Sequence, residues 1–283
     1  MIEIKNVSKR FGQVQALDGV SLRLESPGIY GLLGNNGACK TTLLNILTSR
    51  LHADAGEVLL DGVPMADNDA ALSQLFMLGE KNLYPEEMRV RQAFEATACF
   101  YPAFDIGRAK ALAARFGLNM KSKITALSTG YRSIYRIVLA LTVGTPYLLL
   151  DEPVLGLDAQ HRDLFYKLLI ELYAEHPCCI LLSTHLIQEA APLIGHAIIL
   201  REGRILRNAP AEELLDAIHT VSGPAAAVDS YLTGRRALSA SSLGGLKTAY
   251  VEGPRPQAAP QGLEIGPADL QGYFIALMEE ESK

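Results

Sequence analysis

The chain has 283 residues, of which 49% are hydrophobic and 20% are charged, so it can bury one large core or two modest ones and is not expected to be disordered. Its net charge of −5 excludes a general nucleic-acid binder, because no basic stripe is available to neutralise phosphates. The longest apolar runs, residues 147–150 and 178–182, are far shorter than the ~18 residues that span a bilayer.

The amino terminus and the cysteines predict a cytoplasmic protein. The first five residues lack the basic and then apolar pattern of a secretion signal. The four cysteines, Cys39, Cys99, Cys178 and Cys179, do not have the paired spacing of a metal site. We therefore expect reduced thiols.

Alternating apolar residues predict an antiparallel sheet within residues 1–28, and residues 56–62 read as a strand and turn that return to it. Phe11 lies in the first turn of this region. An exposed aromatic there could stack on a purine, but the pattern by itself favours a place in the core.

Residues 29–47 predict a buried strand, a glycine-rich turn and a helix. The turn and the helix start consist of Gly34, Asn35, Asn36, Gly37, Ala38, Cys39, Lys40, Thr41 and Thr42. In a phosphate-binding loop of this kind, backbone N–H groups and the positive helix end face the anion. Lys40 would reach the outer phosphates, and Thr41 would offer its hydroxyl to Mg²⁺.

Cys39 departs from the phosphate-loop pattern, which has glycine directly before the lysine. Its side chain stands where backbone and phosphate approach each other closely. A plain strand–turn–helix connection with a surface lysine therefore stays open from this segment alone.

The middle of the chain predicts a helical insert, at about residues 84–145, between strands of the main sheet. A buried strand over residues 76–82 leads into Pro85, where proline and two acids favour a helix start. Asp105 begins a second helix and Gly117 ends it. Ser128 is expected to cap a third.

Two acids and a histidine follow predicted buried strands. Asp151 and Glu152 come directly after residues 147–150, and His185 comes after residues 178–183. Open parallel sheets carry their chemistry at the carboxyl ends of strands, which favours a functional role over solvated acids and a structural histidine. A long helix is predicted over residues 162–175, and the last strands of this region lie in residues 197–207.

The composition changes from about residue 208. A helix over residues 211–218 leads into segments rich in Gly, Pro, Ala and Ser, and residues 253–262 predict a flexible or extended link. An apolar helical stripe follows within residues 270–278. We interpret residues 208–283 as a small accessory domain or docking helix.

Several motifs in a fixed order resemble the nucleotide-binding subunit of ATP-binding cassette (ABC) transporters over about residues 1–207. Gly34–Thr42 resembles Walker A, Leu127–Gly130 resembles the signature, Leu148–Glu152 resembles Walker B, Gly156–Asp158 resembles the D-loop, and His185 matches the switch histidine. The resemblance implies an α/β P-loop NTPase fold with a parallel-sheet core, an antiparallel β subdomain and a helical subdomain.

The resemblance also implies roles for residues. ATP would stack its adenine on Phe11, which reverses the preference for the core, and Lys40 would bind its phosphates. Thr41 and Asp151 would hold Mg²⁺, Glu152 would polarise the attacking water, and His185 would contact the γ-phosphate. The family works as a head-to-tail dimer of two ABC ATPase subunits, so Ser128, Gly130 and Asp158 are expected at the partner's site.

Three departures from the family pattern shape the functional hypotheses: Cys39, Gly79 where the family usually has glutamine, and a signature that reads Leu-Ser-Thr-Gly-Tyr. Variant signatures of this kind resemble those of bacterial drug and bacteriocin exporters. The first hypothesis is an ATPase that powers a separate polytopic permease from the inner face of the membrane, and the alternative is a catalytically weak regulatory half of a heterodimer. Translation or repair ATPases of the family usually carry a second cassette or a coiled-coil insert, and this sequence shows neither.

Overall fold

The computed structural model describes residues 1–256 and 258–280. The strands are β1 (Ile2–Phe11), β2 (Val14–Leu24), β3 (Gly28–Leu33), β4 (Ala55–Leu60), β5 (Val63–Pro64), β6 (Leu75–Leu78), β7 (Tyr147–Asp151), β8 (Cys179–Ser183), β9 (His196–Arg201), β10 (Arg204–Pro210), β11 (Ile218–Pro224), β12 (Ala237–Leu243), β13 (Leu246–Glu252) and β14 (Glu264–Pro267). The helices are α1 (Lys40–Leu47), α2 (Asp69–Leu72), α3 (Val90–Phe100), α4 (Ile106–Arg115), α5 (Thr129–Thr142), α6 (Ala159–Glu175), α7 (Ile187–Ala190), α8 (Ala211–Asp216), α9 (Ala225–Leu232) and α10 (Leu270–Glu280).

The chain divides into two compact units. The first comprises Met1–His185 and Ile198–Asn208, and the second comprises Leu186–Ala197 and the chain from Ala209 onward. The short helix α7 therefore belongs to the second unit, although it lies between two strands of the main sheet in the sequence.

A six-stranded sheet with the order β10-β9-β3-β8-β7-β6 forms the centre of the first unit. The neighbours β3 and β8, β8 and β7, and β7 and β6 run parallel. Their residues are almost all buried, which explains why these strands are continuous apolar runs rather than alternating ones. The parallel-sheet core predicted from the sequence is confirmed.

The register of this sheet brings three loops to one edge. Leu32 on β3 lies opposite Ser183 on β8, and Ser183 lies opposite Asp151 on β7. Because the three strands end in the same row, the segments that follow them begin side by side. This register positions the candidate site.

The predicted antiparallel sheet is also present, with the order β2-β1-β4-β5. Its inward residues share one hydrophobic core with α1 and the central sheet, and this core includes Ile4, Leu43 and Leu149. Phe11 ends β1 with 49% of its surface exposed. The interpretation of Phe11 as a core residue, drawn from the local pattern, is therefore wrong.

The helical insert contains α3, α4 and α5, and the predicted start of its first helix needs correction. Pro85 lies in a turn that the Met88 N–H closes at 3.0 Å, and Arg89 is extended, so α3 begins at Val90. The Gln92 side chain accepts the Arg89 N–H at 2.9 Å and thereby caps this later start. The Asp105 and Ser128 caps form as predicted.

The second unit contains an antiparallel sheet with the order β12-β13-β11-β14. Helix α8 ends at Asp216, not at the predicted Ile218, because Ile218 already pairs with Glu252 across β11 and β13. The predicted link over residues 253–262 joins β13 to β14, and Gln257 within it lies outside the described residues. The predicted apolar stripe forms α10.

Buried polar contacts order this second unit. His219 is 3% exposed, and its two ring nitrogens contact the Gly253 carbonyl and the Tyr231 hydroxyl, each at 2.9 Å. A Cβ on Gly272 of α10 would lie 1.8 Å from the Tyr250 hydroxyl, so any other residue here would require the Tyr250 ring to move.

Candidate nucleotide-binding site

The loop between β3 and α1 is shaped by close backbone packing. A Cβ on Gly34 would lie 2.5 Å from the Leu200 carbonyl oxygen and 2.9 Å from the Ala38 Cβ, so only glycine fits. The Ala38 N–H donates to the Asn35 carbonyl at 3.0 Å and closes the turn. Asn35, like the neighbouring Asn36 and Gly37, is exposed, so backbone at this turn is open to an anion.

Cys39 adopts the backbone conformation that glycine would provide. It has φ 65° and ψ 26°, which lies in the left-handed region, and its Sγ lies 3.3 Å from the Gly37 carbonyl oxygen. A residue with a Cβ costs about 1–2 kcal/mol in this region. The loop therefore keeps the geometry of a glycine-containing loop at a cost in strain.

Lys40 is folded over this loop and is only 6% exposed. Its Nζ donates to the Gly34 carbonyl at 2.7 Å and lies 4.0 Å from Glu152 Oε1. Burial lowers the pKa of the Lys40 ammonium, and the Glu152 and Asp151 carboxylates oppose that shift. The lysine that the sequence singled out is thus a buried cation with carboxylates nearby, and the interpretation as a surface lysine is wrong.

Thr41 and Asp151 lie in direct contact, with Thr41 Oγ1 donating to Asp151 Oδ2 at 2.7 Å. The other carboxylate oxygen, Asp151 Oδ1, is buried and has no hydrogen-bond partner among the described residues. The same holds for Ser183 Oγ, one strand away. Unpaired buried oxygens are costly, so this corner is suited to a further polar partner or a cation.

A hydroxyl and a carboxylate are hard oxygen ligands of the kind that Mg²⁺ prefers. Within the described ranges, no group of three or more His, Cys, Asp or Glu side chains is arranged to hold a metal ion. The residues present therefore fit an ion that takes few protein ligands and keeps waters and phosphate oxygens, as Mg²⁺ does.

Glu152 lies between two potential cations. Its Oε2 is 2.8 Å from His185 Nδ1, and its Oε1 is the atom 4.0 Å from Lys40 Nζ. Its backbone has φ 46°, and its N–H donates to the Ser183 carbonyl at 3.0 Å. A left-handed conformation in a residue other than glycine is often found at functional sites, where surrounding contacts hold it in place.

The signature and D-loop residues contact each other. Ser128 Oγ accepts the Tyr131 N–H at 3.3 Å as the cap of α5, and a Cβ on Gly130 would lie 3.1 Å from the Gly156 carbonyl oxygen. Asp158 caps α6 by accepting the His161 N–H at 2.9 Å, which is the main reason that its pKa is lowered. The partners of Ser128, Gly130 and Asp158 are thus in their own helices and the D-loop.

Phe11 and Thr42 complete the predicted set. Phe11 is half exposed, which leaves ring surface open for stacking, and Lys9 Nζ lies 5.8 Å from its ring centroid. Thr42 is half-buried in the first turn of α1. Contacts join five of the predicted residues into one group: Lys40, Thr41, Asp151, Glu152 and His185. Phe11 makes no described contact with this group.

One residue that sequence reasoning missed is Arg136 of α5, which donates to the backbone of residues 79 and 80. The available signal was an arginine within an otherwise buried helical segment, since Tyr135 and Ile137 on either side are fully buried. A charged residue there requires partners.

A phosphate-type loop before a helix, with two carboxylates at the carboxyl end of a parallel strand of the same sheet, defines the class of P-loop nucleotide-binding proteins. Comparison with known proteins specifies the family. The family model described as "ABC transporter" matches residues 17–155.

Three curated relatives are similar to this chain. The ABC transporter ATP-binding protein YtrB of Bacillus subtilis (strain 168) is 29% identical over 214 residues, which cover 76% of this chain and 73% of that protein. The Nod factor export ATP-binding protein I of Burkholderia pseudomallei (strain 1710b) is 30% identical over 223 residues, covering 76% and 73%. The ribose import ATP-binding protein RbsA of Pseudomonas putida is 31% identical over 216 residues, covering 72% and 42%.

Two solved structures have the same fold. An ATP-binding subunit of an ABC transporter aligns with a TM-score of 0.68 at 24% identity, over 76% of this chain and 91% of that chain. A dimeric ATP-binding cassette in a post-hydrolysis state with ADP and Pi aligns with a TM-score of 0.65 at 24% identity, over 74% and 98%. The predicted P-loop ABC-type fold is therefore confirmed.

This chain belongs to the ABC transporter family and is an ATP-binding subunit, an ATPase whose hydrolysis is coupled to transport. Among the described residues, none of the helices combines the length and the apolar character that crossing a bilayer requires.

Proposed function

We propose that ATP binds over the β3–α1 loop and is hydrolysed at the carboxyl ends of β7 and β8, with Glu152 as the general base. One observation carries the proposal. Two hydrogen bonds and an ion pair at 4.0 Å group the following residues at that edge: Lys40, Thr41, Asp151, Glu152 and His185. A correctly positioned general base typically accelerates a reaction by ~10²–10⁴-fold.

Lys40 supplies the positive charge for the phosphates. Its ammonium donates to the Gly34 carbonyl at 2.7 Å, and a phosphate oxygen is a stronger acceptor than that carbonyl. Charge-assisted hydrogen bonds of this kind contribute about 1.5–3 kcal/mol each. Backbone N–H groups of the loop and the start of α1 add further donors, and Phe11 stacks on the adenine.

Thr41 and Asp151 would hold Mg²⁺, with the unpartnered Asp151 Oδ1 as the available carboxylate oxygen. When bound, Mg²⁺ neutralises charge on the β- and γ-phosphates. Glu152 accepts a proton from the attacking water, and His185, at 2.8 Å from Glu152, orients that carboxylate and contacts the γ-phosphate.

Two cassettes, identical or related, pair head to tail in this proposal. Ser128 and Asp158 are exposed in this chain, as an intersubunit role requires. The positive end of α5, capped by Ser128, is suited to the phosphates of a nucleotide held by the other subunit. Gly130 allows close approach there, since it carries no Cβ.

The ATPase would power a separate polytopic permease from the inner face of the membrane, and we favour export. The Nod factor export relative supports this direction, whereas the ribose import relative is of similar identity over a smaller share of its own length. In the same proposal, residues 208–283 form an accessory region that docks or regulates the complex.

The test is ATP turnover by the purified chain, with its permease, in Mg²⁺. The Glu152→Gln variant keeps the shape of the side chain and removes the base, so we expect turnover to fall at least about 100-fold with ATP binding retained. Glu171→Gln is the matched control, because Glu171 is an exposed partner of Arg115 on the surface. Equal turnover in wild type and Glu152→Gln would show that another group acts as the base.

A second candidate function, the weak regulatory half of a heterodimer, is favoured by two observations: the strained Cys39 and the missing glutamine at Gly79. Under this function ATP binds but turns over slowly unless a second, different cassette is present. Robust turnover by this chain as its own partner would exclude it.

A further inference from the structure

Arg136 ties helix α5 to the segment that follows β6. Its Nη1 donates to the Gly79 carbonyl oxygen at 2.7 Å and also to the Glu80 carbonyl oxygen. Its Nε donates to the Arg132 carbonyl at 3.2 Å, and its Nη2 donates to Ser133 Oγ at 3.2 Å. All three guanidinium nitrogens are therefore engaged, which fixes the position of a side chain that would otherwise be mobile.

Ser133 extends this contact to the D-loop side. Its hydroxyl accepts from Arg136 and donates to the Leu155 carbonyl oxygen at 3.0 Å. The Leu155 N–H in turn donates to the Glu152 carbonyl at 3.2 Å. A continuous chain of hydrogen bonds thus connects residues 79–80 to Glu152 through α5, and we refer to it as the Arg136 chain.

The location of the Arg136 chain coincides with a departure from the family pattern. Gly79 has no side chain with which to reach other groups, so contacts at this position can be made only through its backbone. A half-buried arginine with carbonyl partners supplies that attachment. Burial lowers the pKa of the Arg136 guanidinium, and Glu80 opposes the shift, so the charge is stabilised by the segment that it holds.

The Arg136 chain also joins segments that have different roles in the proposed reaction, namely the signature helix and the segment that carries the proposed base. Residue 133 lies on the helix that begins with the signature, and Leu155 lies between Glu152 and Asp158. Movement of α5 would therefore shift residues 79–80 and the Glu152 backbone together, because hydrogen bonds link all three.

We propose that Arg136 is a positioning residue for ATP hydrolysis. Its guanidinium, bound to the carbonyls of residues 79–80 and to Ser133, fixes the position of Glu152 relative to α5, the helix that begins with the signature. This inference rests on the proposed function, since it assumes that Glu152 is the base. It assigns no contact between Arg136 and the nucleotide.

The test compares Arg136→Met, which keeps length and apolar bulk, with Arg136→Lys, which keeps one charged donor. Each variant is assayed as the full chain for kcat, KM for ATP, ATP Kd, the Hill coefficient and Tm. We expect Arg136→Met to lower kcat about tenfold or more with ATP Kd within about twofold of wild type. Arg136→Lys, which retains one charged donor, should keep more of kcat than Arg136→Met.

The control is Arg115→Met, because Arg115 is an exposed arginine of the same helical insert whose partner, Glu171, lies 3.4 Å away on the surface. It should leave kcat unchanged. Ser133→Ala removes the hydrogen bond to Leu155 and leaves Arg136 unchanged. It is therefore the variant that tests the inference if Arg136→Met does not fold. We expect Ser133→Ala to lower kcat in the same direction, with less than additive loss in the double variant.

Unchanged kcat in folded Arg136→Met, or in Ser133→Ala if Arg136→Met does not fold, overturns the inference, as does a loss confined to ATP binding. Either result leaves the proposed function intact if Glu152→Gln still abolishes turnover. If Glu152→Gln retains turnover, the assignment of the base fails, and the inference that Arg136 positions that base is overturned with it.

Discussion

Two residues of the proposed site, Cys39 and Glu152, have backbone conformations that residues other than glycine rarely adopt. Their φ values are 65° and 46°. Each costs about 1–3 kcal/mol and persists only where surrounding contacts fix it. For Glu152 one such contact is the N–H bond to Ser183 on the adjacent strand. For Cys39 the same strain separates the two candidate functions, because glycine would remove it.

Cys39→Gly is therefore informative. We expect the free energy of unfolding to rise by about 1 kcal/mol, because the left-handed position no longer carries a Cβ. In the proposal of an active ATPase the cysteine is tolerated, so ATP affinity should rise less than about tenfold. Chemical denaturation and equilibrium ATP titration measure the two quantities.

Ser49→Gly is the matched control for that change. Ser49 also has a left-handed backbone, with φ 54°, but it follows the last turn of α1 rather than preceding the first. It should give the same stabilisation with no change in ATP affinity. A gain in affinity well above tenfold that is specific to Cys39→Gly would instead support the weak regulatory half.

Among the elements, β8 is the strand that connects the candidate site to the core. It is buried along its whole length, and it pairs with β3 on one side and β7 on the other. Burial raises the pKa of the Cys178 thiol, just before β8, to about 11 and that of the Cys179 thiol to about 12. Both thiols therefore stay protonated and unreactive in the folded protein near neutral pH.

The raised pKa values predict a loss of stability in alkali. A free thiol in the unfolded chain ionises at about pH 8.5, below either folded value, so the unfolded state loses its protons first as pH rises. The stability is fully present below about pH 8.5 and declines above it, by about 2 kcal/mol for each thiol and so about 4 kcal/mol near pH 10 if both contribute. Urea denaturation at pH 8 and pH 10 measures the decline.

Two cysteine variants test whether the loss of stability in alkali comes from the thiols at β8. Cys179→Ala should reduce the difference in unfolding free energy between the two pH values, whereas Cys99→Ala, an exposed cysteine of α3, should leave it unchanged. A thiol reagent should modify Cys99 in the native protein and reach Cys178 and Cys179 only on unfolding. Rapid native labelling of either β8-side thiol would contradict the burial.

At the scale of the whole molecule, the proposed mechanism requires a second cassette. Asp158 and Ser128 are exposed in this chain, whereas Lys40 is buried. We expect Glu152→Gln to form a dimer in ATP and Mg²⁺ and to remain monomeric without nucleotide. The bound triphosphate joins the two subunits, and this variant does not hydrolyse it. Light scattering coupled to size-exclusion chromatography measures the mass.

Lys40→Ala in the Glu152→Gln background is the control for this dimer. Without the ammonium, ATP binding weakens by one or more charge-assisted hydrogen bonds, each worth about 1.5–3 kcal/mol, and the dimer should be lost at the same ATP concentration. A dimer that forms equally well without ATP would show that another surface holds the subunits together.

The sequence by itself determined the glycine-rich loop before α1, the carboxylates at the carboxyl end of β7, the histidine after β8 and the caps of α4 and α5. These features depend on local spacing, on caps that bond a few residues away, and on the buried character of parallel strands. The family resemblance rested on the order of the same local motifs, and the comparisons confirm it. The roles of the individual site residues stay predictions.

Only the tertiary structure decided the features for which the local sequence allowed more than one outcome. Phe11 is exposed because β1 ends beyond the core, and α3 starts at Val90 because the chain before it closes a turn. The contact of Arg136 with residues 79–80 spans more than fifty positions of sequence, and β11 pairs with β13 across a helix and another strand. Such pairings depend on long-range packing, for which a local pattern carries no signal.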